Sequence, residues 1–152
     1  MTGQSLEAIE IREILRLLPH RYPFVMIDRI IEINGDESGI GIKNVTINEP
    51  QFLGHFPENP VMPGVLMIEG MAQTAAVLVL RLIQMHETRS LFLLTIDKAK
   101  FRKPAMPGDR IEYHVRKSAN RRSMWWYHAE AKVGGDLIAE ADVGAVIAEA
   151  RS

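Results

Sequence analysis

Between Val61 and Met85 the chain is apolar almost throughout, carrying Glu69, Gln73, Arg81 and Gln84 as isolated polar side chains. Those four residues make a lipid-spanning helix implausible and a buried helix of a soluble protein natural. Pro63 suits a first helical turn, where its missing N–H costs nothing, and the helix is predicted to run to about His86. Gly70, Ala72, Ala75 and Ala76 would let other backbones approach it closely. A helix that is apolar nearly all round needs cover on most sides, and a single curved antiparallel sheet wrapped around it would supply that cover.

The remaining segments offer such a sheet. Ile11, Ile14, Leu15 and Leu18 recur at helical spacing, predicting a short amphipathic helix over Glu10–Leu18 that Pro19 stops. Phe24–Ile33 and Gly39–Ile47 read as a hairpin around Asn34-Gly35-Asp36. Pro50, Pro57, Pro60 and Pro63 then stiffen a loop that regular structure cannot occupy. After the long helix, Leu91–Ile96, Asp109–Lys117, Met124–Val133 and Asp136–Ala148 read as strands, the last two joined by Gly134-Gly135. The class is α+β. A chain of 152 residues, 47% apolar and 24% charged, reads as one domain over residues 1–152 rather than a disordered tail.

Within the stiff loop and the start of the helix lie His55, Gly64 and Glu69. Each has an ordinary explanation: a solvated loop histidine, a glycine relieving crowding, a carboxylate facing water. Glu69 is the hardest to dismiss, because Leu66, Met67, Ile68 and Met71 surround it and an unpaired buried carboxylate is costly. Together the three make a base titrating near neutrality, an acid in an apolar setting and a helix-start N–H facing a developing enolate. That combination fits proton abstraction beside a carbonyl with loss of a β-hydroxyl. Gln73, one turn beyond Glu69, is placed to orient the carboxylate.

Other chemistries find little support. There are no cysteines, so disulfides, thiolate catalysis and cysteine-based zinc sites are excluded. No histidine pair has metal-ligand spacing, and neither a serine elbow nor a nucleotide-binding glycine motif occurs, so no metal and no cofactor are expected. His20, Arg21 and Tyr22, between two prolines, read as turn-formers. His86 suits a helix carboxyl end, while His114 and His128 read as surface or core residues of strands. Trp125-Trp126 is better explained by packing than by base stacking, so no nucleic acid is expected. The amino terminus lacks a basic and then apolar leader, making the cytoplasm the expected compartment, with no membrane association. Net charge is −1, yet half of the 18 basic residues fall between Lys98 and Arg122, a surface suited to an acidic partner.

Three stretches are also familiar: Leu18-Pro19-His20-Arg21-Tyr22-Pro23-Phe24; Gly54-His55-Phe56-Pro57 with Pro60-Val61-Met62-Pro63-Gly64-Val65; and Asp97-Lys98-Ala99-Lys100-Phe101-Arg102 with Pro107-Gly108-Asp109. In this order, across roughly residues 11 to 148, they resemble the (3R)-hydroxyacyl-acyl carrier protein dehydratases of the FabZ kind. The resemblance implies a hot-dog fold, a homodimer with shared active sites, and further assembly into a trimer of dimers. It makes His55 the catalytic histidine, Glu69 the acid donated by the other subunit, and Gly64 the oxyanion amide. Glu69, where the related dehydratase/isomerases carry aspartate, favours plain dehydration. The resemblance also places Lys98, Lys100, Arg102 and Lys103 near the mouth of an acyl tunnel, suited to docking acidic acyl carrier protein, and Phe101 among them suggests a gate in a movable loop. Ala105 departs from the larger apolar residue common there. The alternatives are a hot-dog thioesterase, which would release free acid and thiol, and a non-catalytic acyl-binding protein.

Overall fold

The computed structural model describes residues 6–83 and 89–149. Two helices, α1 (Ile11–Leu17) and α2 (Gly64–Ile83), accompany seven strands: β1 (Glu7–Ile9), β2 (Arg29–Asn34), β3 (Ser38–Asn44), β4 (Arg89–Phe101), β5 (Arg110–Arg121), β6 (Met124–Val133) and β7 (Asp136–Glu149). The strands form one sheet in the order β1-β2-β3-β5-β6-β7-β4, with every pairing antiparallel.

The helix α2 packs against β3, β5, β6, β7 and β4. Five strands about 4.8 Å apart span nearly twice the width of a helix, so one helix reaches all of them only if the sheet curves around it. Met71, Val77 and Leu78 on α2 are fully buried, and the long apolar run is therefore the core helix. Its other side of the core comes from strand alternation: Ile111, Tyr113 and Val115 on β5, and Trp125, Tyr127, Ala129 and Ala131 on β6, point inward while their neighbours point out. Close approach depends on two glycines. A Cβ at Gly70 would overlap the Tyr113 ring, and one at Gly41 would overlap Thr74.

Pro63 lies one position before the helix, its carbonyl accepting the N–H groups of Leu66 and Met67 at 3.0 and 3.2 Å. The predicted end of the helix near His86 falls outside the described residues. The strand expected from Phe24 begins only at Arg29, because a side chain of α2 replaces a neighbouring strand: Gln73 accepts the Met26 N–H and donates to the Phe24 carbonyl. Three-residue β1 carries too little pattern to be read from sequence. The Pro-rich loop contains one turn of 3-10 helix, Pro50–Leu53.

The largest correction concerns β4. Its expected span, Leu91–Ile96, extends to Phe101, so Lys98, Lys100 and Phe101 belong to a strand and not to a loop. Pairing with β7 resumes past a bulge between Asp97 and Lys100, where Lys98 adopts φ 53°.

Candidate active site

His55 is held by backbone hydrogen bonds on both sides. Its N–H donates to the Gln51 carbonyl at 3.1 Å, and its carbonyl accepts the Val61 N–H at 3.0 Å. Phe56 and Asn59 exchange N–H···O bonds at 3.1 and 3.0 Å, and the Met62 N–H reaches the carbonyl of fully buried Ala105 at 2.8 Å. Glu49 fixes the start of the loop through Lys43, the Thr46 N–H and Gln51. The His55 ring places Nδ1 2.7 Å from the Val61 carbonyl oxygen. A carbonyl only accepts, so Nδ1 carries a hydrogen, and in the neutral ring the lone pair is then on Nε2, the tautomer a general base needs.

An open cavity of about 540 Å³ joins His55 to the start of α2, with Gly64, Val65 and Phe101 on its walls. The Phe101 ring lies directly over Gly64: a Cβ there would stand 2.6 Å from the ring's Cε1. Glycine at this position therefore accommodates the ring as well as leaving the helix N-terminus bare. Because Phe101 is the last residue of β4, paired with Ala139, opening this cover calls for side-chain rotation and not for movement of a loop.

Glu69 lies elsewhere. Five residues along a helix amount to about 140° of rotation, so Gly64 and Glu69 face different directions. Among the described residues His55 and Glu69 form no hydrogen bond, and Glu69 lines a second cavity, of about 180 Å³, between α2 and the sheet. Ala72, Ala76 and Val79 form its helix wall, and Trp125, Tyr127 and Val143 its sheet wall. At its mouth Gln73, almost fully buried, uses each of its polar atoms. Its oxygen accepts the Met26 N–H at 2.8 Å, and its nitrogen donates to the Phe24 carbonyl at 2.7 Å and to Glu69 Oε2 at 2.8 Å. The Met26 donor fixes which end of the amide is oxygen, so Gln73 must present N–H to the carboxylate.

His20, which the sequence suggests is a turn-former, stands at the same mouth. Its Nε2 is 3.6 Å from Glu69 Oε2, and it lines the Glu69 cavity. Nothing local to His20, between Pro19 and Pro23, signals this meeting, which arises where the chain returns against α2.

Lys98, Lys100, Arg102 and Lys103 are all exposed. Arg102 pairs with Glu140 at 3.2 Å and Lys103 with Asp136 at 3.5 Å, which leaves Lys98 and Lys100 as the uncompensated charges of that group among the described residues. His114 and His128 sit in surface pairs with Glu112 and Asp142 at 3.0 and 2.7 Å. The hydrogen bond from His114, aided by Arg110, holds the Glu112 carboxyl below its usual range. Burial pushes the Tyr127 phenol, on the wall of the Glu69 cavity, above its ordinary value.

One antiparallel sheet folded about a long apolar helix defines a hot-dog protein. The solved dehydratase heterocomplex ApeI:P from Xenorhabdus doucetiae shares it, with a TM-score of 0.71 at 17% identity over 88% of this chain and 89% of that one. A thioesterase superfamily member from Thermus thermophilus shares it with a TM-score of 0.60 at 21% identity over 74% and 81%. The FabA-like domain family matches residues 18–142. A Rhodopseudomonas palustris protein named 3-hydroxyacyl-(acyl-carrier-protein) dehydratase FabZ is 60% identical over 94% of this chain and 95% of its own length. A Nitrobacter hamburgensis protein of the same name is 60% identical over 95% and 97%. The chain belongs to the FabA-like family and, within it, to the FabZ dehydratases.

Proposed function

We propose that this chain dehydrates (3R)-3-hydroxyacyl thioesters borne by acyl carrier protein to trans-2-enoyl thioesters, in fatty-acid biosynthesis. The observation that carries the mechanism is the local completeness of two half-sites on different faces of α2. One holds a base with its lone pair free beside a helix N-terminus, and the other a carboxyl clamped by an amide at the mouth of an apolar cavity. Two copies in a homodimer would bring the His55 half of one against the Glu69 half of the other, and dimers would associate further into a trimer of dimers.

In the combined site the thioester oxygen meets the Gly64 N–H, and His55 Nε2 takes the C2 proton. The electron pair left on C2 delocalises onto that oxygen, where the helix N-terminus stabilises the negative charge. Collapse of the enolate forms the C2–C3 double bond as the C3–O bond breaks, and Glu69 supplies the proton that lets oxygen leave as water. His55 then releases its proton and Glu69 regains one, so the balance is one water lost and no redox change. The cavity beyond Glu69 takes the acyl tail.

Run in reverse on crotonyl thioester, the purified protein should yield 3-hydroxybutyryl thioester, by loss of enoyl absorbance and by mass spectrometry. Each of His55→Ala and Glu69→Gln should lower kcat by at least about 100-fold. Free acid and thiol instead would make it a thioesterase. Thioester bound but unchanged would make it a binding protein.

A further inference from the structure

His20 directly precedes a turn that the Phe24 N–H closes on the Arg21 carbonyl at 2.8 Å, and it also lines the Glu69 cavity. Its ring stacks on Phe24, with centroids 6.3 Å apart and planes 13° from parallel, and Phe24 is itself tied to Gln73 through its carbonyl. Arg21 secures the segment to the end of α1, donating to the carbonyls of Leu15, Leu18 and His20 itself at 3.0, 2.9 and 2.6 Å. The histidine thus faces Glu69 from a braced backbone.

The ring's own chemistry sets its protonation state. Nδ1 is buried with no hydrogen-bond partner among the described residues. A hydrogen there would be an orphaned donor, which proteins avoid more strictly than an under-used acceptor. In a neutral ring the hydrogen therefore belongs on Nε2, which faces Glu69 Oε2. Gln73 donates to that oxygen at 2.8 Å, and His20 Nε2 stands 3.6 Å from the same atom, within reach of a small movement. The carboxyl proton is left to Oε1, which becomes the oxygen that works on substrate.

We propose that His20 is a positioning residue for the acid of the dehydration, acting with Gln73 to hold Glu69 Oε2 so that Oε1 carries and delivers the proton. The inference rests on the function proposed above. The His20 contact is long, at 3.6 Å, and it would tighten as Glu69 gives up a proton in the reaction, since an ionised acceptor bonds more strongly. The stabilisation thus falls on the transition state and should appear in kcat rather than KM. A neutral donor also spares the acid the full cation that would strip its proton beforehand.

The test is steady-state kinetics on crotonyl thioester with His20→Ala, His20→Gln and His20→Asn. Losing a hydrogen bond to a charged group predicts a kcat lower by about 10- to 100-fold for His20→Ala, with KM changed by less than about twofold. Glutamine places an N–H near the position of Nε2 and should restore most of kcat; asparagine, one carbon shorter, should not. In a Glu69→Gln background His20→Ala should cost nothing further. Equal losses in the glutamine and alanine variants, a change confined to KM, or full activity of His20→Ala would each overturn the proposal. Should His20→Ala fail to fold, the glutamine and asparagine variants decide it alone. An inactive wild type would instead overturn the proposed function, whereas an active wild type with dead Glu69→Gln and unaffected His20 variants would overturn only the role of His20.

Discussion

Tyr113 is fully buried with its ring lying on Gly70. Its hydroxyl has no hydrogen-bond partner among the described residues, and burial pushes the phenol well above its ordinary value, so it stays neutral. The ring is useful here and the oxygen is not. Tyr113→Phe should therefore keep the packing, remove an unsatisfied polar group and raise the unfolding free energy in urea by about 1 kcal/mol; a loss of that size would show that the hydroxyl is bonded after all. Single residues also mark how much of the site the sequence could reveal. Glu69 and Gln73 stood out as polar groups one helical turn apart in an apolar run, and their hydrogen bond follows from that spacing. His20 did not, because its partner arrives through the return of the chain against α2, and no local pattern encodes such a meeting.

Elements were legible where burial imposed a period. β6 matches its expected span, Met124–Val133, since buried and outward residues alternate along it as far as Lys132, and α2 was plain from its apolar length. β4 was not, because its distal part lies at the sheet edge, where charged residues need no inward alternation and discourage unwanted pairing. The bulge at Lys98 adds a residue that breaks the period of two. Being in a strand fixes the spacing of Lys98 and Lys100, whereas Arg102 and Lys103 already answer Glu140 and Asp136. Docking of an acidic carrier should then rest mainly on the first two. Reversing both Lys98 and Lys100 to glutamate should raise KM for carrier-bound substrate about tenfold at low ionic strength, less in salt, while leaving kinetics on a carrier-free thioester unchanged. An equal effect on both substrates would point to damage in the site itself.

At the scale of the whole molecule, the two candidate site residues line different cavities of one chain. With Glu69 turned about 140° from Gly64, base and acid open into separate cavities, and each half lacks what the other has. Phe92, Leu93, Leu94 and Ile96 on edge strand β4 are all more than 40% exposed, a hydrophobic edge that a second copy would cover. Leu53, Phe56 and Val65 around His55 are more than half exposed as well. A dimer sharing its sites would explain both features, and it makes a quantitative demand. Co-expressed in equal amounts, His55→Ala and Glu69→Gln chains should form mixed dimers in half of all cases, each with one intact site and one doubly defective site. Random pairing then restores about a quarter of wild-type activity from two inactive parents. Were each chain to house its own His55 and Glu69, every site in the mixture would lack one of them, and no activity would return.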